Sequence, residues 1–433
     1  MIGRNDDRRI RLLLENAGQA SASGRVLEAD KLVRQAEAEA PGHPLVLNEH
    51  ARRLLLSGDF ARAQALLNQA VAEDPSHASL WLNLAVALRG LGLADEEMTA
   101  IDRVLALEPR NLRALLQKAS LQEIQGKPRA AAMTYRYVLQ SVPAGSLPPP
   151  SLRPVFKHAL QFVAANDKEL ENFLDGRLKE LRTRYADQPL RRFDRCLETL
   201  LRNKPIYRPQ PSFMYFPRLP ALEFYERSDF PWLDSIEAAA DDIREELMNV
   251  LREGPEALIP YVDIPAGTPL DQWRELNRSR RWGVYYLWHE GVAIPDHIAR
   301  FPRTVAALMA WPRCEVPGCS PTAVFSILDA KTRIPPHTGV SNTRLIVHLP
   351  LIVPPGCGFR VGAERREWQP GKAFVFDDTF EHEAWNDSGV PRAVLILDIW
   401  SPHLTAAERD MVSKVTADVG EFYGTGTYHE SGS

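Results

Sequence analysis

The 433-residue chain has only four cysteines: Cys196, Cys314, Cys319 and Cys357. So few thiols exclude a disulfide-built secreted scaffold and fit a reducing, cytoplasmic setting. A local disulfide between Cys314 and Cys319 is conceivable. Their spacing is not that of a zinc or redox motif, however, and both read as structural. No apolar run reaches the roughly 18 residues a membrane span needs, so no membrane partner is expected. The opening residues, Met-Ile-Gly-Arg-Asn-Asp-Asp-Arg-Arg, run straight into charge, and no secretion signal is read there. A net charge of −4 lacks the basic excess that nucleic acid would demand. What remains is a soluble composition, 45% apolar and 25% charged, in a chain long enough for two or three domains.

Three residue types keep one period. Gly24, Gly58, Gly92 and Gly126 are 34 apart, as are Pro41, Pro75, Pro109 and Pro143, and Ala17, Ala51, Ala85 and Ala119. The period and residues resemble the tetratricopeptide repeat (TPR): Ala51 lies where paired helices approach, Gly58 turns the chain, Ala63 and Ala70 line the second helix, and Pro75 ends it. Trp81 and Leu84 supply the large apolar positions of the next unit. The resemblance implies an α-solenoid of four units over 8–143, whose concave face holds a peptide or protein partner. The alternative is that the repeats only scaffold or dimerise. Glu97 and Val104 stand where small alanines are usual, which predicts looser packing there.

Val142 to Pro154 is dense in proline and predicts a semi-stiff extended linker. Leu170, Leu174, Leu178, Leu181 and Tyr185 then recur at helical spacing, an apolar stripe expected to be core. Residues 144–204 are thus assigned to linker and helical connector, and 205–420 to a C-terminal domain. That domain is entered through the proline- and aromatic-rich stretch Lys204–Pro220 and an amphipathic helix over Ile236–Leu251. The aromatics of Arg280–Trp288 open a β-rich region and read as core rather than substrate groove. Strands are predicted at Thr322–Leu328, Arg344–Val353, Ala373–Phe376 and Arg392–Trp400. Short strands in close succession indicate a barrel or jelly roll.

The chemistry gathers between Ile334 and Ser401. His337 and His382 each sit at the edge of a β-like run, and Arg392 follows ten residues after the second histidine. Two imidazoles and one arginine in that order suggest a metal held beside a bound carboxylate. Strand alternation sets Arg344, Ile346 and His348 on one face, Arg392, Val394, Ile396 and Asp398 on another, and Ser326 with Val324 and Leu328.

Pro336-His337-Thr338-Gly339, Asn342-Thr343-Arg344-Leu345, His348, Gly371-Lys372, Phe376-Asp377-Asp378-Thr379-Phe380-Glu381-His382-Glu383, Arg392 and Asp398-Ile399-Trp400, in that order, resemble the aspartyl/asparaginyl β-hydroxylase family. The resemblance implies a double-stranded β-helix (jelly-roll) oxygenase domain that uses Fe(II), 2-oxoglutarate and O2. The architecture expected is therefore multidomain α + β, with the TPR solenoid first. His337 and His382 would ligate iron. Gly339 stands where most of the wider superfamily has a carboxylate ligand, a loss this family shares. Arg392 and Ser326 would take the distal carboxylate of 2-oxoglutarate, and His348 would contact its other end.

The family usually has a second arginine at the position of Ile346, where it would grip an acidic substrate side chain. An apolar group there weakens the case for aspartate as target, although Arg344 could still hold a carboxylate. The expected activity is hydroxylation of an amino-acid residue, Asp/Asn-like or other, in a peptide, protein or related small molecule. The alternatives are a non-catalytic repeat scaffold whose barrel binds a small acid, and an iron halogenase admitted by the vacancy at Gly339. Alone, Asp377-Asp378 reads as a solvated turn.

Overall fold

A computed structural model of the chain describes residues 4–142 and 148–423. Pro143 and the start of the expected linker lie outside the described residues. The chain divides into two compact units after Asp194, ten residues before the boundary read from sequence.

The first unit is all helix. Its pairs are Arg4–Ala22 with Val26–Glu39, Pro44–Ser57 with Phe60–Glu73, Ala78–Gly90 with Ala94–Leu107, and Leu112–Ile124 with Pro128–Gln140. Gly24, Gly58, Gly92 and Gly126 sit between partners with φ of 74°, 81°, 74° and 66°. A side chain is strained in that left-handed region, which is why glycine recurs there. Ala17, Ala51, Ala85 and Ala119 are buried, as close helix approach requires.

Two expectations fail in this unit. Glu97 and Val104 do not loosen the packing, since both are buried. The Glu97 carboxylate accepts from Arg89 Nε and Gln117 Nε2, each at 2.9 Å, so charge-assisted bonds replace the contacts of a small side chain. The leucine stripe is not core either. The described end of the linker folds into a turn at Pro150–Leu152 and then a helix, Arg153–Arg184, rather than staying extended to Pro154. Phe156 and Ala159 of that helix are buried, Ala159 with Ala119, Ala131 and Tyr135 of the last repeat. At 32 residues it is more than twice as long as the 13-residue helix it follows, and its second half outruns that neighbour. Leu170, Leu181 and Tyr185 are exposed there, and Leu174 and Leu178 half-buried.

The second unit is built on antiparallel strands: β1 (Ile259–Pro260), β2 (Trp282–His289), β3 (Val292–Ala293), β4 (Ala323–Leu328), β5 (Thr332–His337), β6 (Arg344–Ile352), β7 (Cys357–Val361), β8 (Glu364–Arg366), β9 (Phe374–Phe376), β10 (His382–Asn386) and β11 (Arg392–Trp400). One sheet runs β1-β2-β4-β11-β6-β9, with β3 on β2, and the other runs β5-β10-β7-β8. Strands β4 to β7 alternate between the sheets, the winding of a double-stranded β-helix. Between them pack Leu328, Ile334, Ile346, Phe359, Phe376 and Val394. The outer face of the larger sheet presents Phe325, Leu345, Val347, Leu349 and Leu395 to the helices Leu233–Ala238 and Ala240–Leu251. These two helices occupy the place of the single helix expected over Ile236–Leu251.

The aromatics of β2 divide between the faces. Tyr285, Leu287 and Trp288 join the outer core, while Trp282 and Tyr286 line the interior cavity. Among the described residues no disulfide forms, and no helix is long and apolar enough to cross a membrane.

Candidate active site

A cavity of about 790 Å3 opens between the two sheets. His337, His348, His382, Arg344, Arg392, Ser326 and Ile346, the residues singled out from sequence, all line it.

His337 ends β5 and His382 begins β10, and the two are direct cross-strand partners. Their ring centroids are 4.0 Å apart. His337 Nδ1 lies 2.8 Å from the Pro335 carbonyl and His382 Nδ1 lies 3.0 Å from that of Phe380. A carbonyl only accepts, so each Nδ1 carries the proton and the lone pair falls on Nε2. Burial pushes the His382 pKa down to about 4, which keeps the ring neutral and able to ligate. Two imidazoles brought together in this way suit a divalent metal such as iron. Among the described residues no group of three or more His, Cys, Asp or Glu side chains gathers as a metal site.

Gly339 follows two residues after His337, and its N–H donates to the Asp378 carbonyl at 2.7 Å. A Cβ built on Gly339 would fall 2.2 Å from the Asp378 carboxyl carbon. The space a side chain would need is filled by the carboxylate four residues before His382. Asp377 and Asp378 are accordingly buried, not a solvated turn. Asp377 Oδ1 accepts from Thr379 N and Oγ1, at 2.9 and 2.6 Å.

Arg392 opens β11 and is among the largest fully buried side chains. Its guanidinium lies 4.5 Å over the Trp368 ring, with Nη1 3.4 Å from the Ser326 carbonyl. Its buried Nε has no partner among the described residues. Burial lowers its pKa to about 10, so the cation persists near neutrality. A buried guanidinium this poorly satisfied is costly until an anion completes it, and a planar carboxylate is the matching partner. Ser326 Oγ accepts from Trp282 Nε1 at 3.0 Å, which leaves its own proton to donate. His348 is buried among Phe359, Phe374 and Phe376. Its Nδ1 has no partner among the described residues. Burial first, then the neighbouring Arg392 cation, holds its pKa well below the usual value. These unpartnered polar atoms and the imidazole pair fit a metal and a dicarboxylate side by side.

Arg344 lies between two buried carboxylates. Nη2 lies 3.9 Å from Asp378 Oδ2 and Nη1 3.6 Å from Asp398 Oδ2. Asp398 also accepts from Ser320 Oγ at 2.8 Å and Thr322 N at 3.0 Å. Ile346 sits between Asp398 on β11 and Phe376 on β9. Sequence reasoning missed Trp273, whose ring meets His337 edge-on at 5.1 Å, and Trp368 under Arg392. Trp273 ends a single 3-10 turn, Asp271–Trp273, and Trp368 lies in a loop, and neither has a local pattern to mark it.

The fold and the site define a jelly-roll domain with a paired-histidine centre and a buried arginine. Residues 237–402 match the family model described as Aspartyl/Asparaginyl beta-hydroxylase, and residues 54–121 match that of the tetratricopeptide repeat. The C-terminal domain thus matches this hydroxylase family, and the helical pairs before it match the tetratricopeptide repeat. It is 32% identical over 181 residues to the aspartyl/asparaginyl beta-hydroxylase of Homo sapiens, covering 41% of this chain and 24% of that protein. It is 36% identical over 181 residues to the ornithine lipid ester-linked acyl 2-hydroxylase of Rhizobium tropici, covering 41% of this chain and 60% of that protein. The aspartate beta-hydroxylase domain-containing protein 2 of Xenopus tropicalis is 25% identical over 300 residues, 67% of this chain and 77% of that protein. The chain thus spans about a quarter of the length of the human relative.

Proposed function

We propose that the C-terminal domain is a hydroxylase dependent on Fe(II), 2-oxoglutarate and dioxygen. The observation that carries this reading is the buried Arg392 with its unsatisfied Nε in the cavity that also holds the His337–His382 pair. When bound, iron and 2-oxoglutarate would together supply the oxidant: a C–H bond becomes C–OH, and 2-oxoglutarate and O2 become succinate and CO2.

The residues of the chain bind and orient. His337 and His382 offer Nε2 to the metal, and the Pro335 and Phe380 carbonyls fix their rings. Arg392 would hold the distal carboxylate as its charged partner, and Ser326 would add its hydroxyl proton. His348, with its unsatisfied Nδ1, would contact the cosubstrate's other end. Phe359, Phe376, Trp273 and Trp282 in the wall limit water around the reacting centre. The repeats would recruit a protein or peptide partner, and the chain would work in the reducing cytoplasm.

The test is succinate formation by full-length protein with Fe(II) and 2-oxoglutarate. Wild type should consume 2-oxoglutarate, and His382→Ala should neither retain iron nor consume it. Wild type that binds neither iron nor 2-oxoglutarate would falsify the reading.

A further inference from the structure

We infer that the reacting part of the substrate is an uncharged aliphatic chain of acyl type, not an acidic side chain. The inference rests on the hydroxylase reading above and concerns what that same cavity accepts.

The charges in the wall come first. Among the described residues lining the cavity, the arginines are Arg344 and Arg392, and no lysine is present. Arg392 is matched to the cosubstrate. Arg344 lies between Asp378 and Asp398, both buried, so this cluster holds two carboxylates for one guanidinium. A substrate carboxylate brought beside it would face two like charges in a poorly solvated space and find its cation already shared. The same wall also includes Asp263 and Glu290.

The apolar surface comes next. Ile346 is buried and faces inward next to His348's strand position, between Asp398 and Phe376 across the neighbouring strands. Val324 and Ile396, paired across β4 and β11, and Ile334 on the facing sheet add aliphatic surface to the same lining. The cavity, at about 790 Å3, is several times larger than a five-carbon dicarboxylate, and its lining extends to Val316 and Val412. A run of methylenes fills such a space without needing hydrogen bonds. A peptide threaded there would leave backbone amides facing Ile346 and Ile396, which satisfy none.

The experiment uses full-length protein with Fe(II), 2-oxoglutarate and air. Succinate release is followed with three probes: a long-chain monoacylglycerol in detergent micelles, a peptide containing Asp, and the same peptide with Leu in its place. Release with the acyl ester should exceed release with the Asp peptide by about a hundredfold, the cost of an unpaired buried charge. The ester should also raise the melting temperature of the Mn(II)- and 2-oxoglutarate-loaded protein, a readout independent of turnover. Ile346→Arg should weaken both ester responses and admit the Asp peptide. Preference for either peptide, or no response to any probe, overturns the inference; the wild-type comparison stands even if the variant misfolds. Calorimetry of 2-oxoglutarate on the Mn(II) protein separates the two failures. No binding defeats the hydroxylase reading itself, whereas binding with the wrong preference defeats only the substrate class.

Discussion

The Asp378 carboxylate occupies the space that a side chain on Gly339 would need, with only 2.2 Å between its carboxyl carbon and a Cβ built there. Reinstating a carboxylate at position 339 therefore does not simply add a third ligand. Gly339→Asp should lower the melting temperature by the equivalent of about 1–3 kcal/mol, the usual cost of overpacking. Combining it with Asp378→Ala should recover much of the loss. Thermal unfolding of the single and double variants checks this, and additive losses would count against the steric relationship.

Arg392 makes a second prediction with opposite signs for stability and binding. Removing a buried, poorly satisfied cation relieves a desolvation penalty, so Arg392→Met should leave the ligand-free protein at least as stable as wild type. The same change should weaken 2-oxoglutarate binding by about a hundredfold or more, because the carboxylate loses its charged partner. Arg392→Lys should be intermediate, keeping the charge without the planar fork. Calorimetry and thermal melts on the same samples test both halves.

Asp377 gives the stability of the second unit a pH dependence. Burial raises its pKa from 3.8 to about 6, against the opposing bonds from Thr379. The sign follows from which state holds the proton. Below 3.8 both folded and unfolded carboxyls are neutral, and the stabilisation carried by the neutral form is complete. As pH rises through about 6 the folded protein must ionise a buried group, and that stabilisation is lost. Asp377→Asn keeps the acceptor for Thr379 and has no charge to bury. Its stability relative to wild type should rise between pH 4 and 6.5 by at most about 3 kcal/mol. Denaturant titrations across that range decide it, and parallel curves would refute the assignment.

In the repeats, Glu97 is the sensitive position. Glu97→Ala removes the acceptor of Arg89 Nε and of the buried Gln117 amide, while Arg89 keeps its bond to the Gln117 carbonyl, and should cost about 1–3 kcal/mol. Glu97→Gln, which keeps the acceptor, should cost less than half of that. Helical circular dichroism during thermal unfolding reads the difference. Equal losses would mean that volume, not hydrogen bonding, matters at this site.

Much of this was legible along the chain because it is local. The four repeats follow from residues that recur every 34 positions, each glycine answering a left-handed turn that other residues resist. The strands of the larger sheet show as apolar runs, and the His337, His382 and Arg392 set was readable from its order. The smaller sheet was harder. β5 contains Pro335 and Pro336, which weaken any strand pattern, and β7 and β8 are short and mixed in polarity. The stripe from Leu170 to Tyr185 has a core's periodicity without a core's burial, since spacing does not say where the neighbouring helix ends.

By itself, the sequence determined the repeat count, the turn glycines, the sheet faces and which imidazoles and guanidinium could serve one site. Only the tertiary structure decided that Asp378 fills the gap beside Gly339 and that Arg344 is shared between Asp378 and Asp398. Periodicity is written in neighbouring residues. Charge balance in a cavity depends on residues 34 to 54 positions apart along the chain being brought within 4 Å.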